Sequence, residues 1–242
     1  MISGVMSAPM LRTLASIVVL SACAAAAETL PATTRVLFVG NSLTTVNDVP
    51  ALVGQLAAAS AQRYEYRTVA FNNYSLEDHW NRGDAQRAIA EGGWSIVVLQ
   101  QGPSELPESR VSLVDYATRF ATDAHRVRAR VGLFMVWPSS NRMGDFDGVR
   151  LSYAAAAGAA GGLLIPAGDA WRDAWRRDSR LALYGPDGFH PTAAGSYLAA
   201  VVLYQAFFGR SPVGLPPLIV APSQARLLQE SAAAVTPAPP SR

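Results

Sequence analysis

The sequence contains no lysine, so all 20 of its basic residues are arginine. That excludes Schiff-base chemistry, a lysine general base and the lysine-bearing phosphate loop. Histidine is scarce, with His79, His125 and His190 the three present, and Cys23 is the one cysteine. These are too few nitrogen and sulfur ligands for a usual zinc site, and no disulfide can form within the chain. No basic run accompanies the net charge of +2, so no nucleic-acid partner is expected. No apolar run is long enough to span a bilayer as a permanent helix. What remains is a chain of 242 residues, half of them hydrophobic, which suits one domain with an adequate core.

Residues 1–27 read as an export signal. Arg12 is the only charge, Leu14 to Leu20 form the apolar run, and Ala24 to Ala27 offer a small-residue cleavage site. Leu20-Ser21-Ala22-Cys23 also matches a lipobox, in which the cysteine is lipidated and becomes the mature N-terminus. Both cleavage readings stand, and either places the protein outside the cytoplasm, in the periplasm or secreted. Membrane attachment is expected only through a lipid on Cys23.

After a linker over 28–34, Val36-Leu37-Phe38-Val39 is a buried strand that runs into Gly40-Asn41-Ser42, a tight turn presenting one hydroxyl. Asn47-Asp48-Val49-Pro50 then starts a helix that should reach about Gln62. Further strands are expected at Tyr64 to Ala70, Trp94 to Leu99, Val131 to Trp137 and Leu163 to Pro166. Helical segments are expected over Ser75 to Glu91 and Val111 to Arg130. Pro191 to Phe208 is apolar on nearly every side, so it reads as a helix buried against the sheet and covered by other elements. Strands alternating with helices give an α/β class: a three-layer α/β/α sandwich with a five-stranded parallel sheet over residues 35–210. Residues 211–242 read as a proline- and alanine-rich tail, disordered from about Val235.

Open α/β sheets build sites at the carboxyl ends of their strands. Ser42 stands there after the first strand, Asn72-Asn73-Tyr74-Ser75 after the second and Gln100-Gln101-Gly102 after the third. Late in the chain comes Asp187-Gly188-Phe189-His190-Pro191. A lone Gly-x-Ser marks turns everywhere, and its meaning depends on partners. Serine needs a base to become a nucleophile, usually a histidine oriented by a carboxylate. His190 and Asp187, three apart across a glycine turn, form that pair; Asp169, after the fifth strand, is the rival carboxylate, more distant in sequence.

Gly40-Asn41-Ser42-Leu43 near one end and Asp187-Gly188-Phe189-His190-Pro191 near the other resemble the blocks of the SGNH hydrolase superfamily, the GDSL esterases. Together with the strand-three glutamine and Ser75-Leu76-Glu77-Asp78-His79, the first block is most similar to a bacterial branch of that superfamily. The resemblance implies a flavodoxin-like sandwich and a Ser42, His190, Asp187 triad. It implies an oxyanion hole of the Ser42 amide with a glycine and an asparagine, and it calls for no cofactor. Here the glycine's place falls to Asn73, whose backbone N–H serves the same purpose, and the asparagine's to Gln101, since Gln100 still continues the strand.

Asn41, in place of the family's common aspartate, is a candidate for substrate contact, as are His79 and Trp80, for which a surface helix is the competing reading. His125 reads as a solvated helix residue. Trp171 and Trp175 read as an amphipathic helix burying its tryptophans, with a sugar-stacking or anion-binding edge, formed with the arginine between them, as the alternative. The activity implied is that of an esterase forming an acyl-enzyme, acting on a small-molecule or glycan ester such as an O-acetylated sugar. An acyltransferase for envelope polysaccharide with the same triad is one alternative, and a carbohydrate-binding relative without turnover is another.

Overall fold

Val36, Leu37, Phe38 and Val39 lie fully inside a parallel sheet in the computed structural model, which describes residues 1–4 and 32–235. The expectations for the export signal, for Cys23 and, past Val235, for a disordered end therefore concern residues outside those described. In chain order the elements are β1 (Thr34–Gly40), α1 (Ser42–Thr45), α2 (Val49–Ala59), β2 (Tyr64–Ala70), α3 (Leu76–Arg82), α4 (Asp84–Ala90) and β3 (Ile96–Leu99). They continue with α5 (Pro107–Arg126), β4 (Arg130–Phe134), α6 (Phe146–Ala159), β5 (Leu163–Ile165), α7 (Ala167–Arg177), α8 (Ala193–Phe208) and α9 (Pro222–Ala233).

All four strand pairings are parallel, in the order β2-β1-β3-β4-β5. Central strands buried on both faces must be apolar where they are covered, as β3 and β1 from Val36 onward are, with Thr34 and Arg35 at the more open start of β1; β2, at one edge, alternates and is half exposed. This is the five-stranded α/β sandwich expected, with flavodoxin-like strand order. Its topological switch point lies between β1 and β3, and the crevice at their carboxyl ends is where ligands bind in such sheets.

Two segments depart from expectation. The single helix expected over Ser75 to Glu91 is two, because Gly83 sits at φ 85°, a left-handed conformation that ends α3 and re-aims the chain into α4. The domain also does not end near residue 210. The segment expected to be a tail folds into α9, which packs on α7 and α8 and buries Ala225, Leu228 and Ala232. A helix as apolar as α8 must be covered on every side, and α9 supplies cover that the sheet and α2 leave open.

Leu228 is fully buried in that contact. Leu228→Ala should therefore cost about 3 kcal/mol of unfolding free energy, measured by chemical denaturation, whereas a dispensable tail would show no change.

Candidate functional site

The turn after β1 is built by side chains that satisfy its backbone. Asn41 caps α1, its Oδ1 accepting from the Leu43 amide at 3.0 Å, and its Nδ2 donates to the Tyr74 carbonyl at 3.0 Å. Gln100, buried at the end of β3, accepts at Oε1 from the Asn41 amide at 2.9 Å and from Thr44 Oγ1 at 2.8 Å. Its Nε2 donates to Asn41 Oδ1 and to the Gln101 carbonyl. Ser42 is thus the first residue of a helix whose entry is clamped to the neighbouring strand, and its amide, like every first-turn N–H, has no intrahelical partner.

The second half of the site arrives 145 positions later. Asp187 Oδ1 accepts from the amides of Phe189 and His190, both at 3.0 Å, so the carboxylate folds its own loop. Gly188 has φ 69°, and a Cβ there would meet Ser140 Oγ at 2.3 Å, so that turn requires glycine. Trp137 Nε1 donates to the Phe189 carbonyl at 3.0 Å, and Asn47 Nδ2 reaches Ser196 Oγ at 2.9 Å and the Pro191 carbonyl at 3.3 Å. These bonds hold the His190 loop against the Ser42 turn. Thr192, rather than Pro191, is the residue that caps α8.

The result is a continuous relay. Asp187 Oδ2 lies 2.5 Å from His190 Nδ1, and His190 Nε2 lies 2.9 Å from Ser42 Oγ. The carboxylate accepts the Nδ1 proton, which leaves the Nε2 lone pair facing the serine hydroxyl. The His190 ring, followed by the Phe189 amide, holds the Asp187 carboxyl down to about 2, so it stays ionised at any pH where the imidazole could act as a base. Asp169 is not part of this group. It is ion-paired with Arg150, and burial pushes its carboxyl above the usual range.

Two cavities meet at Ser42. One, of about 430 Å³, is lined by Asn41, Ser42, Asn73 and Gln101 and continues past Leu106 and Phe189. The other, of about 330 Å³, is lined by Ser42, Thr45, Val46, Asn72, Asn73 and His190. Asn73 stands between them at φ 63°. Glycine adopts that left-handed conformation freely, and asparagine tolerates it better than most residues.

Gln101 is oriented by three partners. Its Oε1 accepts from the Leu76 amide at 2.9 Å, so Nε2 must be the other atom, and one of its hydrogens goes to Ser104 Oγ at 2.8 Å. The second hydrogen is left for the cavity. Tyr153, fully buried, braces the same residue: its hydroxyl accepts from the Gln101 amide and donates to the Gln101 carbonyl at 2.6 Å. Burial pushes the tyrosine's pKa up, so it remains a hydroxyl able to do both.

Two of the three expected substrate contacts have other duties. Asn41 lines the cavity beside Gln101: its Oδ1 is taken by the turn and one Nδ2 hydrogen goes to Tyr74, which leaves the other hydrogen unassigned. His79 is wholly buried rather than on a surface helix; its Nε2 lies 2.7 Å from the Gly40 carbonyl and Nδ1 has no partner, while burial depresses its basicity. Trp80 packs edge-on against Phe120, on the flank of the sheet rather than in either cavity. Trp171 stacks on Trp137 with ring centres 3.7 Å apart and Trp175 packs beside it, so the pair is core, not a sugar platform. Tyr153 and Trp137 were not legible in the sequence, because a helical tyrosine and a strand-end tryptophan both read as ordinary core.

No protein-family model and no curated sequence matches the chain. Solved structures do. A protein from Slackia heliotrinireducens described as a candidate SGNH hydrolase shares 29% identity over 72% of this chain and 98% of its own, with a TM-score of 0.61. A DUF4886 family protein from Bacteroides uniformis aligns at 18% identity over 84% of this chain and 94% of its own, with a TM-score of 0.72. An acetyl-xylooligosaccharide esterase from Geobacillus stearmophilus aligns at 16% identity over 74% and 94%, with a TM-score of 0.54.

If Gln101 donates to a developing oxyanion, Gln101→Ala should lower kcat by about a hundredfold or more and change KM little in steady-state ester hydrolysis. An unchanged kcat would restrict Gln101 to holding the Leu76 and Ser104 loops together.

Proposed function

We propose that this chain, a member of the SGNH hydrolase superfamily by fold, is an exported serine esterase. The observation that carries the reading is the hydrogen-bonded line Asp187, His190, Ser42 at the switch point of the sheet, opening on a cavity faced by amide donors. Fold alone does not imply chemistry; this arrangement of groups supports it.

In the first half-reaction His190 Nε2 takes the Ser42 proton as Oγ bonds to the ester carbonyl carbon. The carbonyl electrons move onto oxygen, and the resulting oxyanion is held by the Ser42 and Asn73 amides and by Gln101 Nε2. As the tetrahedral intermediate collapses, the C–O bond to the alcohol breaks and His190 gives that alcohol the proton. In the second half-reaction a water loses its proton to His190 and attacks the acyl-serine, and Ser42 leaves reprotonated with release of the acid. Asp187 remains charged throughout and stabilises the imidazolium formed in each half.

Acetyl groups on carbohydrate are the proposed substrate class. The esterase from Geobacillus stearmophilus acts on acetylated xylooligosaccharide, and the two open cavities beside Ser42 leave room for a sugar on one side and a short acyl group on the other. Export rests on the signal-like residues 1–27, with Cys23 as the residue a lipid would take.

Aryl acetate hydrolysis tests the assignment. His190→Ala should remove nearly all turnover, on the order of a million-fold in kcat, and Asp187→Asn should leave a residue about ten thousandfold below wild type. An Asp187→Asn variant with full activity beside an inactive Asp169→Asn would transfer the third role to Asp169.

A further inference from the structure

The end of the sheet opposite Ser42 carries a different chemistry. Among the described residues, the arginines that make no ion pair are Arg63, Arg110, Arg128, Arg130 and Arg210. Arg110 is occupied with Ser152 Oγ and the Glu105 carbonyl. The other four are exposed and lie where strands begin or where α8 ends. Arg63 precedes β2, and its carbonyl accepts from Thr34 at the start of β1; Arg130 opens β4 with Arg128 just before it; Arg210 follows α8.

Three of these arginines line one groove. A cavity of about 450 Å³ includes Arg130 and Arg210, a second of about 400 Å³ includes Arg128 and Arg130, and the two share Arg130 and Leu163. Neither is lined by a carboxylate. Glu65, on β2, and Asp123, on α5, are paired with Arg35 and Arg126.

Carboxylates show the reverse distribution. Those without an arginine partner among the described residues are Asp48, Glu77, Asp78, Glu108 and Asp187. Asp48 caps α2, Glu77 and Asp78 lie in the first turn of α3, Glu108 opens α5 and Asp187 belongs to the triad. The first four follow strand ends on the Ser42 side, and Asp187 reaches that side through His190. The domain is therefore electrostatically polar along its strands, acidic at the reaction end and basic at the other.

We propose that the basic end is a docking face for an anionic phospholipid surface, holding the domain with Ser42 turned away from the membrane. The guanidinium groups match lipid phosphates in charge and fork geometry, and the groove floor of Leu163, Ile96 and Val131 suits the edge of a headgroup layer. The chain itself points to a membrane as the occupant: β1 begins at this end, and residues 24–33, which precede it, span at most about 35 Å from Cys23. A lipid on Cys23 and a basic face are the two signals that stable attachment requires. The lipid source rests on the exported reading and not on the esterase one.

The test is co-sedimentation of the exported protein, purified with Cys23→Ser so that no acyl anchor contributes, with vesicles of phosphatidylcholine alone or mixed with phosphatidylglycerol. Binding is expected only to the anionic vesicles and should weaken as salt rises. The combined Arg128→Gln, Arg130→Gln, Arg210→Gln variant should bind them roughly a hundredfold more weakly while keeping the wild-type melting temperature and aryl acetate rate. Equal binding to both vesicle types, or undiminished binding by the triple variant, would overturn the proposal. So would saturable inorganic phosphate binding that displaces the vesicles, which would make the groove a small-anion site.

Discussion

A single buried amide, that of Gln100, underlies the geometry of the site. It bonds to four groups, two of them on Asn41, and so fixes the end of β1 to the end of β3 across the switch point of the sheet. Each of those groups is buried or nearly so, where an unmade hydrogen bond costs about 1–3 kcal/mol. The turn that presents Ser42 is consequently rigid, which the proposed attack from one hydroxyl aimed at one imidazole nitrogen requires. Asn41 extends the clamp to the β2 loop through Tyr74, and Tyr153 extends it to Gln101. The proposed oxyanion donors thus share a frame with the nucleophile.

The His190 loop is anchored separately, by Trp137, Ser140 and Asn47, and meets the Ser42 turn across 148 residues of chain. This division has a consequence for energetics. The carboxylate of Asp187 organises its own turn through two amide bonds as well as bonding the imidazole, so the His190 ring is oriented by local structure and not only by the long-range contact. His79 shows the opposite economy: a titratable ring spent on one carbonyl of the β1 turn, held neutral by burial.

Much of the fold was legible because its signals are local. Continuous apolar runs marked β1 and β3, turn residues marked their ends, and the Gly188 turn marked the acid–base pair. Gln101 was preferred to Gln100 because Gln100 reads as a continuation of the strand; the strand ends at Leu99, and Gln100 lies under the Ser42 turn while Gln101 lines the cavity. What was not legible depended on packing. His79 and Trp80 read as available for substrate because a sequence does not show that the Gly40 carbonyl and Phe120 already occupy them. The α9 helix was hidden by its proline- and alanine-rich setting, although Ala225, Leu228 and Ala232 lie at helical spacing. Its partner had announced the need for cover: an all-apolar α8 requires more surface than one sheet face provides.

The central claim is that Ser42, activated by His190, is the nucleophile that attacks the ester carbonyl. Peptide mapping by mass spectrometry after treatment with a fluorophosphonate tests it most directly. One adduct per chain on the peptide carrying Ser42, abolished in His190→Ala, is the result this account predicts. A wild-type protein that remains unlabelled, or that carries its adduct on another residue, would contradict it.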